Sequence, residues 1–387
     1  MDKRPHVLLL TSPLPKEGLA YGIRFSEGKL EKRFPLGIGY LISILRENNI
    51  KVDFVDLMVK NVEIDFSKFD FIGVYANSLF FKGGTVPLLK SIKDSGFKGK
   101  IIIGGPHASL MPDTIPEFVD FIVQGEGEYT LLDIVSGKAK ERIIKSDRIN
   151  DLDALPMPAY DAFDLSLYNL KVEEFDDKRN VFIYSSSRGC PFNCSFCSVN
   201  RVIGKEWFAH SPERVLKDIL YLKEKFGVDG IFFREDNFTV DMDRVRKICK
   251  LFIENNVGIV WKCESRADIS YEDLKLMRDA GLKSIYFGFE SGSERLLKIF
   301  NKNISVERYK KTIESCKRLC IEVFGSFLYN TPYETKEDVA ATERFIKETG
   351  LRYSFISRYL GLPGSQIYDY IVKNPNVAED KGIFVIK

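Results

Sequence analysis

The sequence predicts an α/β fold in two consecutive parts, a doubly wound parallel sheet followed by a second series of strand–helix units. Three features of the 387 residues indicate this fold. Short continuous apolar runs, typical of buried parallel strands, alternate with stretches in which apolar residues recur at helical spacing. Glycine-rich segments follow several of these runs, and three cysteines in one short loop open the second part. The length favours two or three domains.

The first part contains five apolar runs that predict strands. These are Val7–Leu10, Val52–Val55, Phe71–Tyr75, Ile101–Ile103 and Phe121–Val123. Between them, apolar residues recur at the spacing of amphipathic helices. Five strands with intervening helices make a doubly wound five-stranded parallel sheet, and such sheets bind ligands beyond the carboxyl ends of their strands.

Glycine-rich segments are expected at that edge of the first sheet. They are Pro35–Gly39, Gly104–His107 and Gly125–Glu128. Glycine lets a backbone approach a large flat ligand closely. Each segment alone is compatible with a simple tight turn, but their recurrence favours a shared ligand site.

The second part opens with Cys190, Cys194 and Cys197 at C-x3-C-x2-C spacing, directly after the strand-like run Val181–Tyr184. Thiolates are soft ligands that suit iron–sulfur clusters and zinc. Three thiolates from one loop can hold three corners of a cubane cluster and leave the fourth iron open for chemistry. Zinc would require a fourth Cys or His, and the nearest candidates lie outside the loop. Three buried cysteines without a metal are the remaining alternative.

This loop resembles the signature of the radical S-adenosylmethionine (SAM) enzymes, including the aromatic Phe196 just before the last cysteine. The resemblance implies that Cys190, Cys194 and Cys197 carry a [4Fe-4S] cluster and that SAM chelates its open iron. It also implies a partial (β/α)6 TIM-type barrel for the second part. The six strand candidates are Val181–Tyr184, Gly230–Phe233, Ile259–Cys263, Ser284–Phe289, Glu322–Leu328 and Arg352–Tyr359.

Residues at the carboxyl ends of these strands are the candidates for SAM binding, because catalytic groups of such barrels gather there. The resemblance assigns the SAM amino group to Glu235 or Asp236, and contacts to Glu290 and Ser291 in a G-x-E-S-G run. Arg266 is expected to pair with the SAM carboxylate; an interdomain salt bridge is the alternative. The full set of predicted SAM-binding residues is Phe196, Glu235, Asp236, Arg266, Glu290 and Ser291.

The glycine-looped first part resembles the cobalamin-binding, Rossmann-like domain that precedes many radical SAM domains. The predicted cobalamin-binding residues are Leu36, Gly37, Asn77, Ser78, Gly104, Gly105, Pro106, His107, Gly125, Glu126 and Gly127. The chain lacks the D-x-H-x-x-G loop whose histidine ligates cobalt in many cobalamin proteins, since Gly105 stands two positions before His107. We therefore expect no histidine ligand on the lower face of the corrin. An empty, degenerate domain is the alternative.

These patterns divide the chain into four segments. They are a cobalamin-binding-like domain at 1–135, a connector at 136–180, the radical SAM partial barrel at 181–372 and a short tail at 373–387. Two prolines between Asp151 and Tyr160 block a continuous helix in the connector, where we expect ordinary packing between domains.

Outside the cluster loop, Cys249, Cys316 and Cys320 fall on helical patterns and are expected to be inert, with Cys316 and Cys320 facing each other. Cys263 ends a predicted strand and is a weaker candidate for the active site. Lys plus Arg number 57 and Asp plus Glu 55, so charge gives no case for nucleic acid or an anionic membrane. No signal peptide or membrane span is evident, and seven cysteines without a disulfide pattern favour a reducing, cytoplasmic, oxygen-poor setting.

The resemblance implies a cobalamin-dependent radical SAM C-methyltransferase that methylates an unactivated carbon through a 5′-deoxyadenosyl radical and methylcobalamin. Its expected partners are SAM, an external electron donor such as a ferredoxin or flavodoxin, and a substrate that is a peptide or protein side chain, a small metabolite or a lipid precursor. Rearrangement, cyclisation or oxidation on the same scaffold is the alternative reaction. An iron–sulfur binding or sensing module without turnover is the alternative of another class. The sequence assigns no catalytic residue.

Overall fold

The computed structural model describes residues 4–15, 19–20, 23–24, 34–168, 175 and 180–386. Parts of the predicted first domain and of the predicted connector lie outside the described residues. So do the first three residues and the last residue of the chain.

The first sheet is parallel and has six strands in the order β2-β1-β3-β4-β5-β6. The strands are β1 His6–Thr11, β2 Lys51–Val55, β3 Phe71–Tyr75, β4 Lys100–Gly104, β5 Phe121–Gln124 and β6 Ile143–Lys145. The predicted doubly wound sheet is confirmed, but its number of strands was wrong. The sequence pattern missed β6 because this short edge strand exposes Ile143 and Lys145 and forms no apolar run.

Four α-helices flank the described part of this sheet. They are α1 Leu36–Glu47, α2 Val86–Asp94, α3 Pro106–Leu110 and α4 Glu128–Val135. The segment Pro35–Gly39 was predicted to be a loop at a strand end. It forms the start of α1 instead. Gly39 serves packing there, because a Cβ atom at this position would lie 3.1 Å from Cβ of Pro158 in the connector.

The second sheet is parallel, and its six strands follow one another in chain order, as in the predicted partial barrel. The strands are β7 Val181–Tyr184, β8 Gly230–Phe233, β9 Val260–Ser265, β10 Leu282–Glu290, β11 Glu322–Tyr329 and β12 Tyr353–Arg358. The helices of this half are α5 Val199–Val202, α6 Pro212–Phe226, α7 Met242–Glu254, α8 Tyr271–Asp279, α9 Glu294–Ile299, α10 Val306–Arg318, α11 Lys336–Thr349, α12 Gln366–Lys373 and α13 Pro375–Lys381.

One continuous apolar core runs through both halves of the chain. It includes α1 residues such as Ile42, connector residues such as Tyr160 and strand residues such as Phe182. The Tyr160 hydroxyl donates a hydrogen bond of 2.7 Å to the backbone oxygen of Ile183, and the Ser43 hydroxyl donates one of 2.6 Å to the oxygen of Met157. The connector thus binds to helix α1 of the first half and to strand β7 of the second. Within the described segments, no helix has the length and apolar character that crossing a bilayer requires.

Candidate active site

The carboxyl-end loops of the two sheets meet at Arg188, which lies just before the cysteine loop. Its Nη1 donates to Oε1 of Glu126 at 2.8 Å, and its Nη2 lies 2.8 Å from Oε1 of Glu128. Glu126 belongs to the glycine-rich loop after β5, and Glu128 is the first residue of α4. The guanidinium also lies over the ring of Tyr40 in α1, 4.8 Å from its centroid. The start of the cluster loop is therefore fixed against the first sheet.

The two glutamates of this contact are buried and the arginine is half-buried, with side-chain exposures of 4% for Glu126, 6% for Glu128 and 17% for Arg188. Burial alone would lower the pKa of Arg188, but the charges of Glu128 and Glu126 outweigh it and raise the pKa above its ordinary value. The second carboxylate oxygen of Glu126 accepts a hydrogen bond from the backbone of Ile149 at 2.9 Å. Glu126, a predicted cobalamin-binding residue, is thus engaged within the protein.

The three cysteines of the loop are half-buried and not disulfide-bonded. Burial raises the pKa of Cys190, and burial raises the pKa of Cys197 to about 11; the charge of Cys194 adds to both shifts. The thiols are thus close enough to repel one another when ionised, a cost that bound iron removes. Among the described side chains, no group of three or more His, Cys, Asp or Glu residues is arranged to bind a single metal ion. A cubane binds each thiolate through a different iron, so the donor set fits the [4Fe-4S] group.

Hydrogen bonds to the C-terminal end of α9 hold the backbone of the cysteine loop. Ser195 donates its N–H to the oxygen of Phe300 at 2.9 Å and its hydroxyl to the oxygen of Ile299 at 3.0 Å. At the start of the loop, Gly189 has a φ of +87°, and a Cβ atom there would lie 2.3 Å from the oxygen of Glu206. Only glycine fits this turn.

Glu235 and Asp236, the predicted alternatives for the SAM amino group, lie in different surroundings. Glu235 is buried and accepts hydrogen bonds from the Ser186 N–H at 3.1 Å, from the Ser186 hydroxyl at 2.8 Å and from the Ser187 hydroxyl. Burial raises the pKa of Glu235 to about 7. Asp236 instead accepts a hydrogen bond from the N–H of Gly189 at 3.2 Å, next to the first cysteine. Of the two, Asp236 faces the cluster loop.

Arg266 extends from the end of β9 to the cysteine loop. Its Nη1 lies 3.9 Å from Sγ of Cys194, and its guanidinium lies over the ring of Phe192, 4.0 Å from the centroid. Its Nη2 donates to the backbone oxygen of Lys302. Because Arg266 is only 7% exposed, its charge acts on the cluster site with little screening.

Glu290 at the end of β10 forms a buried ion pair with Lys302, at 3.2 Å between Oε1 and Nζ. The Lys302 ammonium also lies 5.8 Å from the ring centroid of Phe196 in the cysteine loop. A Cβ atom on Gly288 would come within 2.4 Å of the Glu290 carboxylate, so glycine makes room for it. Sequence reasoning missed Lys302, because a single lysine in the turn before α10 belongs to no motif.

Ser291, the other predicted residue of this run, is 1% exposed. Its hydroxyl lies 3.1 Å from that of Thr342 in α11 and accepts the N–H of Ser293 at 3.0 Å. The structure thus places Ser291 in the packing between β10 and α11, behind the carboxylate of Glu290.

At the carboxyl edge of the first sheet, Asn77 and Ser78 follow β3. Gly104 ends β4, and Gly105 leads into α3, which contains Pro106 and His107. Gly105 has a φ of +100°, and a Cβ atom there would lie 2.8 Å from the oxygen of Ala76. The His107 ring is 1% exposed; its Nδ1 lies 3.0 Å from the Ser78 hydroxyl and its Nε2 lies 2.9 Å from the Thr114 hydroxyl. Both ring nitrogens of His107 are therefore engaged by hydroxyl groups of the protein.

The remaining cysteines lie away from this site. Cys249 and Cys316 are buried in the core, and Cys263 lies inside β9 in the same core rather than at the strand end. The prediction that Cys320 shares a helix face with Cys316 was wrong. The helix ends at Arg318, and Cys320 follows it as an exposed residue with a φ of +55°.

Two family models match the chain, the B12 binding domain over residues 32–135 and the Radical SAM superfamily over residues 184–346. The uncharacterized methyltransferase PH0819 of Pyrococcus horikoshii is 30% identical over 370 residues, which cover 88% of this chain and 79% of that protein. The chain belongs to the cobalamin-dependent radical SAM methyltransferases. Its cofactors are therefore a [4Fe-4S] cluster, SAM and cobalamin, as predicted.

One further relative and two solved structures resemble the chain at lower identity. The bacteriochlorophyllide d C-8(2)-methyltransferase of Chlorobaculum tepidum is 27% identical, and the match covers 70% of this chain and 62% of that enzyme. The cobalamin-dependent SAM radical enzyme OxsB superposes with a TM-score of 0.70 at 20% identity, over 98% of this chain and 56% of OxsB. The methyltransferase TsrM of Kitasatospora setae gives 0.72 at 15% identity, over 96% of this chain and 75% of TsrM. The similarity to OxsB and TsrM, at 20% and 15% identity, is a similarity of fold.

We expect Cys194→Ala to lose the cluster. Three of its four irons would be held by the three thiolates, and the substitution leaves a second iron without a protein ligand. Iron and acid-labile sulfide, measured after anaerobic reconstitution, should fall from about four of each per chain to less than one. Cys320→Ala is the matched control, since Cys320 is exposed and remote from the loop. Equal iron contents in the two variants would contradict the ligand assignment.

We expect the burial of the neutral His107 ring to make the free energy of unfolding decrease as the pH falls. Burial lowers the pKa of His107 to about 4, below the value of about 6.5 for an unfolded chain. As the pH falls from 7 towards 4, the unfolded chain takes up this proton first, and stability declines by at most about 1.4 kcal/mol per pH unit. Urea unfolding at several pH values should show a shallower decline for His107→Gln. An unchanged slope would exclude this role.

Proposed function

We propose that this enzyme is a C-methyltransferase that adds a methyl group to an unactivated carbon. The observation that carries the proposal is the buried contact of Arg188 with Glu126 and Glu128, which turns the cluster loop of one sheet towards the glycine-rich edge of the other. A substrate in the barrel can then reach both cofactors from one position. Proximity of this kind supplies much of the rate in two-cofactor reactions.

When bound, the cluster with SAM supplies a radical that removes a hydrogen atom, and the corrinoid supplies the methyl group. The chain's own contribution is to bind, orient and exclude water. Cys190, Cys194 and Cys197 are the proposed cluster ligands. The assignment of residues 1–135 to the corrinoid and of 181–372 to the cluster and SAM remains a prediction.

For SAM, we assign the main polar contacts to Asp236, Arg266 and Glu290. Their side chains surround the cysteine loop, and together they offer one cation and two carboxylates to a ligand that carries an amino group, a carboxylate and a sulfonium. Charge-assisted hydrogen bonds to such groups are the strong ones. Glu235 and Ser291 support this site from behind, since their hydrogen bonds lie within the protein.

For the corrinoid, we assign the carboxyl edge of the first sheet. Gly104, Gly105, Gly125 and Gly127 supply backbone that a flat macrocycle can approach closely, and Gly37 presents an open surface at the start of α1. His107 and Glu126 stabilise these loops through their own hydrogen bonds and do not contact cobalt.

Among the described residues, the last strand of the barrel is exposed, and Phe355 on it is 48% exposed. An exposed barrel edge leaves room for a substrate as large as a peptide or protein side chain. Small metabolites and lipid precursors are the other substrate classes that the proposal includes.

The experiment is anaerobic reconstitution with iron, sulfide, SAM and hydroxocobalamin, followed by incubation of candidate substrates with a low-potential reductant. We expect stoichiometric corrinoid, formation of 5′-deoxyadenosine and a product that is heavier by one CH2 group. A product of unchanged or lower mass would favour rearrangement, cyclisation or oxidation. Turnover of SAM by a protein that binds no corrinoid would refute the proposal.

Lys302 offers a sharper test of the SAM site. Lys302→Met removes the partner of buried Glu290 and should weaken SAM binding to the reconstituted protein about tenfold, or about 1.4 kcal/mol by calorimetry. Lys302→Arg should restore most of the affinity. Lys298→Met is the matched control, because Lys298 is exposed on α9. Similar SAM affinities for the two methionine variants, at equal iron content, would remove Lys302 from the site.

A further inference from the structure

Four aromatic side chains line the concave face of the second sheet: Tyr286 on β10, Phe324 on β11, and Tyr353 and Phe355 on β12. Side chains alternate between the two faces of a strand, and the neighbouring Phe287 points to the other face, into the core. We call these four residues the aromatic wall. It faces the interior of the barrel, where a substrate must lie to reach the cofactors.

The rings of the aromatic wall stand nearly parallel. Phe324 and Tyr353 have centroids 4.4 Å apart and planes inclined by 9°. Tyr286 and Phe355 lie 5.8 Å apart at 28°, and Phe324 and Phe355 lie 6.2 Å apart at 21°. Because the wall covers three adjacent strands, it extends over about 10 Å. This length matches two or more fused rings.

Burial decreases along the wall from the core outwards. Phe324 is 6% exposed and supports the wall, whereas Phe355 is 48% exposed at its end. An apolar ring that is half exposed inside an enzyme's barrel is a feature of binding sites. By strand register, Phe355 pairs with Ser326 and Ser326 with Gly288. Glu290 lies two residues further on, about 7 Å along the strand, so the wall approaches the proposed SAM site.

Beside the aromatic wall, the neighbouring strand β9 is polar at the same level. Glu264 pairs with Tyr286 in the sheet register, and its carboxylate lies 3.3 Å from Nη1 of Arg234. A saturated hydrocarbon would bring apolar surface against this ion pair. A flat ring with polar substituents on its edge can satisfy both sides, since its face meets the aromatic wall and its edge meets the ion pair.

We propose that the aromatic wall is the substrate-binding surface and that the substrate carries a flat, conjugated ring system. Aromatic side chains bind such rings through stacked and edge-to-face contacts that add to simple burial. Aliphatic side chains would serve a lipid substrate equally well, whereas four aligned aromatic rings select for a ring. This inference rests on the proposed function and adds to it the class of substrate.

The test is binding of two probes of equal size to the cluster- and corrinoid-loaded full chain: naphthalenemethanol and its fully hydrogenated counterpart. Calorimetry should show tighter binding of the aromatic probe. Phe355→Ala should weaken that binding about two- to tenfold, the effect of one lost aromatic contact. Ile356→Ala is the matched control, because Ile356 is 60% exposed on the same strand but points to the opposite face; it should leave the binding unchanged.

Three results would overturn the inference: equal affinity for both probes, unchanged affinity of Phe355→Ala, or equal loss in the two variants. Because the readout is binding, it does not depend on turnover. A protein that binds the aromatic probe through Phe355 but transfers no methyl group would refute the proposed function alone. A protein that methylates its substrate but binds both probes equally would refute only the assignment of the aromatic wall.

Discussion

The arrangement of the site depends on one buried ionic contact, the fork of Arg188 against Glu126 and Glu128. The arginine directly precedes Gly189 and Cys190, so its position sets where the cluster loop begins. The two glutamates lie in the loop after β5 and at the first position of α4. Removing three charges from water is expensive, and such a network adds little net stability compared with an apolar contact. The contact instead fixes the orientation of the two loops, because the planar guanidinium donates its hydrogen bonds in defined directions. The two cofactor edges therefore meet in a defined orientation rather than merely in contact.

Around this contact, each strand of the barrel divides its side chains between two tasks. On β10, Phe287 and Phe289 fill the core beneath the helices, while Tyr286 and Gly288 face the interior. The strand ends then supply the charged groups near the cysteines. Ligand-binding side chains therefore need no separate scaffold. They project from one face of the strands, while the side chains on the other face are buried and stabilise the sheet.

Eleven of the twelve main strands could be predicted from the sequence, most of them because a buried parallel strand is an uninterrupted apolar run. The exposed edge strand β12 has no such run and was predicted from the alternation of strands and helices. The strand β6 could not be predicted, since its alternating exposure leaves no such run. The three cysteines and the glycine loops were recognisable by spacing. Lys302 was not, because its role depends on a carboxylate brought near by folding. The inward-turned side chains of His107 and Glu126 were likewise hidden, since a motif names a residue but not the direction in which its side chain points.

Glu290 is held in the left-handed backbone region, with a φ of +66°. A non-glycine residue bears a strain of order 1 kcal/mol or more in that conformation. Glycine would relieve the strain but would also delete the carboxylate that pairs with Lys302. Selection for thermal robustness and selection for turnover therefore pull this position in opposite directions, and laboratory evolution for stability alone should tend to erode it.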